Sequence, residues 1–146
     1  MKRKILIGLV IVLIGIQFVP VSLNQLEKIS ENDIIATLNP PEEIALILKT
    51  SCYDCHSNNT VYPWYDKIAP VSWWVADHIN EGKDELNFSE WASFSEKRKA
   101  KKLKEMIEEL DEGEMPLTSY LITHGDAKLS SAQVEQLKNW VDTIKG

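Results

Sequence analysis

Cys52-Tyr53-Asp54-Cys55-His56 reads C-x-x-C-H. Two thiols three residues apart, followed at once by an imidazole, are the attachment sequence for a c-type haem. In that reading Cys52 and Cys55 reach the two vinyl groups of one haem and become thioethers. His56 then presents its ring to the iron as the proximal axial ligand. These are the only two cysteines among 146 residues, so no further thiol competes for a disulfide or completes a four-thiolate zinc site. Three other uses stay open on the pentapeptide alone. They are a redox dithiol, a zinc half-site that needs more ligands, and a Cys52–Cys55 disulfide.

Outward from the motif the chain is helical in pattern. Upstream, Asn39-Pro40-Pro41-Glu42-Glu43 predicts a helix start, with Asn39 as a candidate N-cap and acids in the first turn. Ile44, Leu48 and Cys52 then fall on one face with Ile47 beside them, so this helix carries its apolar stripe into the motif. Downstream, residues 57–69 read as loop. Pro70 opens a second helix through Val71, Trp74, Val75, His78 and Ile79, expected to end at Gly82. Ser93-Phe94-Ser95-Glu96 has capping-box spacing before a third helix with Ala100, Leu103, Met106, Ile107 and Leu110 inward. That helix places Lys97, Arg98, Lys99, Lys101, Lys102 and Lys104 before Glu105, Glu108, Glu109, Asp111 and Glu112. This order opposes the helix dipole and is offset in part by Lys101–Glu105 and Lys104–Glu108 pairs. It reads either as a solvated face or as a basic docking patch. Gly113 ends the helix, Pro116 holds Met115 in an extended loop, and Thr118 starts a short helix to His124. Ser130-Ser131-Ala132-Gln133 caps a last helix striped by Val134, Leu137, Val141 and Ile144, with Trp140 alongside.

The first residues differ in kind. Lys2-Arg3-Lys4 precedes an almost wholly apolar run from Ile5 to Val21. At 1.5 Å per residue the run covers roughly 26 Å, just short of a bilayer's hydrocarbon core. No good cleavage context follows at Pro20-Val21-Ser22-Leu23, so a retained signal-anchor is favoured over a cleaved signal peptide. The basic end should stay cytoplasmic and the rest should lie outside the membrane, with residues 1–22 as signal-anchor or signal peptide, 23–39 as tether and 40–146 as domain.

Hydrophobic content of 44% is ordinary for one globular domain. The formal net charge of −6 becomes −9 without the three basic residues at the start. This disfavours nucleic acid as a partner and allows a basic protein surface. Five tryptophans suit a small domain wrapped around a large flat cofactor, and suit an ordinary core equally well.

The order of helix into C-x-x-C-H, internal helices, Met-Pro loop and final amphipathic helix resembles a class I c-type cytochrome. The run Cys52-Tyr53-Asp54-Cys55-His56-Ser57-Asn58-Asn59-Thr60, then Tyr62-Pro63-Trp64-Tyr65, Ile68-Ala69-Pro70-Val71-Ser72-Trp73-Trp74-Val75 and Leu86-Asn87-Phe88-Ser89-Glu90-Trp91, narrows this. It resembles the haem-binding domain family of small, mostly bacterial, exported cytochrome-like proteins, over residues 40–145. The resemblance implies an all-α domain around one covalent haem c. It implies no single physiological task.

An iron held by His56 needs a second ligand unless it is left open. Met115, 59 residues later in the Pro116-restricted loop, is the favoured thioether. His78 and His124 are alternatives, and Met106 is read as a core residue. His56 also needs an acceptor for its other ring nitrogen, expected to be a backbone carbonyl near Pro70. The function expected is electron transfer by a membrane-tethered monohaem cytochrome at a bacterial inner membrane, with the domain on the periplasmic side and a basic redox partner. A gas or redox sensor, a peroxidase-like protein or an accessory haem module is the alternative, if the distal side opens.

Overall fold

The computed structural model describes residues 1–26 and 28–145. Glu27 in the expected tether and Gly146 at the end of the expected domain lie outside the described residues. The fold is all-α: α1 (Lys2–Gly15), α2 (Ile34–Leu38), α3 (Glu42–Ser51), α4 (Tyr53–His56), α5 (Val71–Glu85), α6 (Glu96–Glu112), α7 (Thr118–Leu121) and α8 (Ser131–Lys145). Short 3₁₀ turns add residues 16–18, 64–67, 88–93 and 125–127. Among the described residues no strand forms, and one antiparallel bridge pairs Gln25 with Asn59.

The core lies where α3, α6, α8 and the turn at 88–93 meet. α3 turns Ile44, Ile47 and Leu48 inward, α6 contributes Leu103, and α8 contributes Leu137, Trp140 and Val141. Leu48 is fully buried among them, so its truncation to Ala costs about 2–5 kcal/mol. Trp91 and Trp140 belong to this core and Trp64 is exposed, so three of the tryptophans do not share one task.

The helix ends explain several departures from expectation. Asn39 is not the N-cap of α3. It closes α2 with φ 43°, a left-handed position that a short polar side chain tolerates. α3 follows directly from Pro41, with Glu42 and Glu43 in its first turn and Lys49 in its last. Ser95 caps α6 by accepting from the Arg98 N–H at 3.3 Å, whereas Ser93 bonds back to the Glu90 carbonyl at 2.6 Å. α8 carries the expected box in full: Ser130 Oγ accepts from Gln133 N at 3.3 Å and Gln133 Oε1 from Ser130 N at 2.9 Å.

Residues 23–39, expected as a tether, are in good part packed onto the domain. The Asn24 amide donates to the Ser57 carbonyl at 2.7 Å and to Thr60 Oγ1 at 2.8 Å, and its carbonyl oxygen accepts from Lys83 at 2.6 Å. Asp33 caps α2 through Ile35 N at 2.9 Å, and Asp33 and Ile34 are both fully buried. Over the expected span at Ile5–Val21, the α-helix stops at Gly15 and a 3₁₀ turn runs to Phe18. No helix of the described residues is long and apolar enough to cross a membrane.

α5 does not stop at Gly82 but runs on to Glu85. Gly82 serves another end. A β-carbon there would lie 2.8 Å from the Cys55 carbonyl oxygen, so only glycine lets α5 pack this closely on α4.

Candidate functional site

α3 delivers Cys52 at its last turn, where the Cys52 N–H bonds the Leu48 carbonyl at 3.0 Å. One helical turn, α4, then holds Tyr53, Asp54, Cys55 and His56. The two residues between the cysteines point to different partners. The Tyr53 hydroxyl donates to buried Asp33 Oδ1 at 2.6 Å, and its ring stacks on Phe88 with centroids 5.6 Å apart. Burial and the bond to Asp33 push this phenol well above its usual range. Asp54 instead accepts from Val61 N at 2.9 Å and from the Tyr120 hydroxyl at 2.7 Å. The motif is thereby fastened to the N-terminal segment through one residue and to α7, just after Met115, through the next.

His56 donates from Nδ1 to the Leu86 carbonyl at 2.9 Å. The carbonyl expected near Pro70 is therefore supplied by Leu86 instead. The extension of α5 past Gly82 brings that carbonyl beside the motif. With Nδ1 protonated, Nε2 keeps its lone pair for a metal. Burial lowers the imidazole pKa below its ordinary value, with partial compensation from the backbone bonds to Leu86 and Gly82. The ring is thus held neutral, the form that ligates. Phe88 lies 6.0 Å from it, centroid to centroid.

Cys52 and Cys55 are free thiols. Burial pushes Cys52 up to about 12, and burial with the nearby Asp54 charge pushes Cys55 up to about 11. A reactive redox dithiol needs the opposite shift. Among the described residues no group of three or more His, Cys, Asp or Glu is placed to hold a metal ion, so the further ligands of a zinc site are not supplied.

Three hollows surround the motif. One of about 340 Å³ is lined by Cys52, His56, Phe88, Met106, Met115 and Leu137, with Glu85, Lys102, Glu105 and Glu109 among its more polar lining. A second of about 450 Å³ is lined by Cys55, Tyr65, Trp74, His78, Tyr120 and His124 among others. The third, a narrow passage of about 50 Å³ that shares lining residues with both, touches Cys52, Cys55, His56, His78, Gly82, Met115 and Pro116. Lys102 bonds Glu85 at 3.1 Å and Glu105 at 2.8 Å, which places a closed charge cluster beside the first hollow.

The model of the haem-binding domain family matches residues 11–143. The chain belongs to this family. No curated protein and no solved structure matches it. The donor set of the haem-binding domain fits the cofactor: two free thiols and an uncommitted imidazole Nε2 open on one passage, flanked by largely apolar hollows. Gly82 leaves this wall without a β-carbon where α5 meets the motif.

Of the residues expected to act, Cys52, Cys55, His56 and Met115 come together at the passage. Met106, read as core, packs against the core and also faces the His56 hollow. His78 reaches the passage, but its Nδ1 bonds the Trp74 carbonyl at 2.9 Å and its ring packs on Trp74 at 4.4 Å. His124 lines only the second hollow, stacked on Tyr120 at 4.0 Å. Sequence reasoning missed Asp33, Gly82, Leu86 and Tyr120. A glycine inside a helical stripe was a signal for close approach, and the other three carried none.

Proposed function

We propose that this haem-binding domain is a monohaem c-type electron carrier. The observation that carries the reading is the passage on which Cys52, Cys55, His56 and Met115 all open. Cys52 and Cys55 would hold the haem through thioether bonds. His56, oriented by Leu86, would offer Nε2 to the iron. Met115 would offer a thioether, a ligand that favours the ferrous state and raises the potential relative to two histidines. Bound haem c would supply the one-electron iron couple. Phe88, Met106 and Leu137 keep water from one side of the site, and Leu117 and Tyr120 close the passage beside Pro116. α1, basic at its start and apolar beyond, attaches the domain to a membrane surface.

The test is an optical spectrum, oxidised and reduced, of protein made with a cytochrome maturation system. Six-coordinate low-spin iron in both states supports the carrier. A gas sensor or peroxidase-like protein is the second reading, favoured by the half-buried position of Met115. Binding of carbon monoxide without denaturation would select it.

A further inference from the structure

We infer that the face formed by Trp64, Ile68, Val71 and Ile122 seats in the headgroup layer of a phospholipid bilayer, the same bilayer that solvates α1. This rests on the membrane attachment proposed above and specifies how the domain lies against that membrane. Every large apolar side chain from Ile5 to Ile14 is 47–64% exposed, and no buried side of α1 exists. A helix apolar all round belongs in a core or in lipid, and this one is in no core. Its 14 residues rise only about 21 Å. A helix shorter than the hydrocarbon thickness draws its flanking surface toward the interface.

The flanking surface is defined by one side chain. Gln17 Nε2 donates to the Ala69 carbonyl at 3.0 Å, and Gln17 Oε1 accepts from Ala69 N at 3.0 Å. The turn that follows α1 is clamped, through the backbone N–H and C=O of Ala69, to the segment between Trp64 and Val71. Around that clamp the surface is apolar: Trp64 is 75% exposed and Ile122, which with Val71 also lines the rim of the second hollow, 80%. Ile68, Val71 and Phe18 are exposed as well. The acid of this turn, Asp66, faces inward and is buried, leaving Lys67 as its exposed charge. Tryptophan beside lysine with aliphatic neighbours is the composition that favours the membrane–water interface. α6 is unlike it, with Lys101 and Lys104 each paired to an acid four residues on.

The experiment uses the full-length haem-loaded chain in phosphatidylcholine vesicles containing a lipid with a photoactivatable diazirine near the acyl carbonyl. Labelled peptides are mapped by mass spectrometry. The expected result is label on residues 61–74 and 117–124 as well as on 1–21. Trp64→Ser with Ile68→Ser should lose the label at 61–74 while keeping that of 1–21 and the visible spectrum. Label confined to 1–21 would overturn the seating and leave the tether standing. Label on neither would remove both, while the spectral test of the carrier stays independent.

Discussion

The two faces of the C-x-x-C-H turn are held in different ways. On the His56 face, several independent constraints converge. The imidazole is bonded to Leu86, Phe88 packs between it and Tyr53, Tyr53 is bonded to Asp33, and α5 lies against Cys55 at Gly82. On the Met115 face, the loop leaves α6 at Gly113 with φ 75°, and the Met115 N–H reaches the Glu109 carbonyl only at 3.4 Å. Beyond it, α7 is fastened back to the motif by the Tyr120–Asp54 bond. In the proposed carrier the scaffold would fix His56, whose tautomer and orientation must not change, and leave Met115 on a lightly held loop, where potential and access would be set.

The largest change should come from removing the anchors on which both faces depend. Cys52→Ala with Cys55→Ala should abolish covalent attachment: the intact mass of the unaltered chain should include one haem and that of the variant should not. Next, Met115→Ala should lose the sulfur-to-iron charge-transfer band of the ferric protein, lower the potential and admit exogenous ligands. His78→Ala and His124→Ala should keep the band. If Met115→Ala leaves the spectrum unaltered and either histidine variant turns high-spin, the assignment passes to that histidine.

Two conservative variants then sharpen the contrast. Tyr53→Phe takes one donor from buried Asp33, leaving it the bonds from Ile35 N and Ser89 Oγ, and should cost about 1–3 kcal/mol of folding stability by denaturant titration, with the charge-transfer band unmoved. Tyr120→Phe releases a half-exposed bond and should cost about 1 kcal/mol. If that loss falls on loop closure, imidazole should compete with Met115 about fivefold more effectively. Equal imidazole affinity in both variants would erase the proposed difference between the faces. The smallest effect is expected from Lys99→Glu with Lys101→Glu. Lys99 is bonded to Glu96 at 2.7 Å and Lys101 to Glu105 at 3.2 Å, so each charge is partly offset by a neighbouring acid. Transfer to a basic partner should slow with salt in both proteins and differ little between them.

Much of this was readable from the chain because it rests on local chemistry. The C-x-x-C-H turn, the Ser130–Gln133 box, the stop at Gly113 and the stripe of α8 each need only residues a few positions apart. The gathering of Met115 with His56 was readable less directly, from a Pro-restricted methionine between two helices. What sequence could not reveal depends on distant pairs. In residues 24–38 the apolar positions form no periodic run long enough to announce a packed segment, yet Asn24 and Asp33 are held by partners 20 to 59 residues away. Gly82 read as a helix end because the usual meaning of glycine in a helix is termination. Here it marks contact with the Cys55 backbone. The acceptor of His56 was misplaced for the same reason, since ending α5 early removes Leu86 from reach.

The residues at the two unspecified positions of C-x-x-C-H make the pentapeptide a poor cassette for transplantation. Tyr53 is matched to Asp33 and Asp54 to Tyr120, so each of its variable letters is spelled jointly with a letter elsewhere. An engineer who swaps in another pentapeptide must rewrite positions 33 and 120 with it. A library randomised at 53 and 54 alone should return tyrosine and aspartate far more often than one in which all four positions vary together.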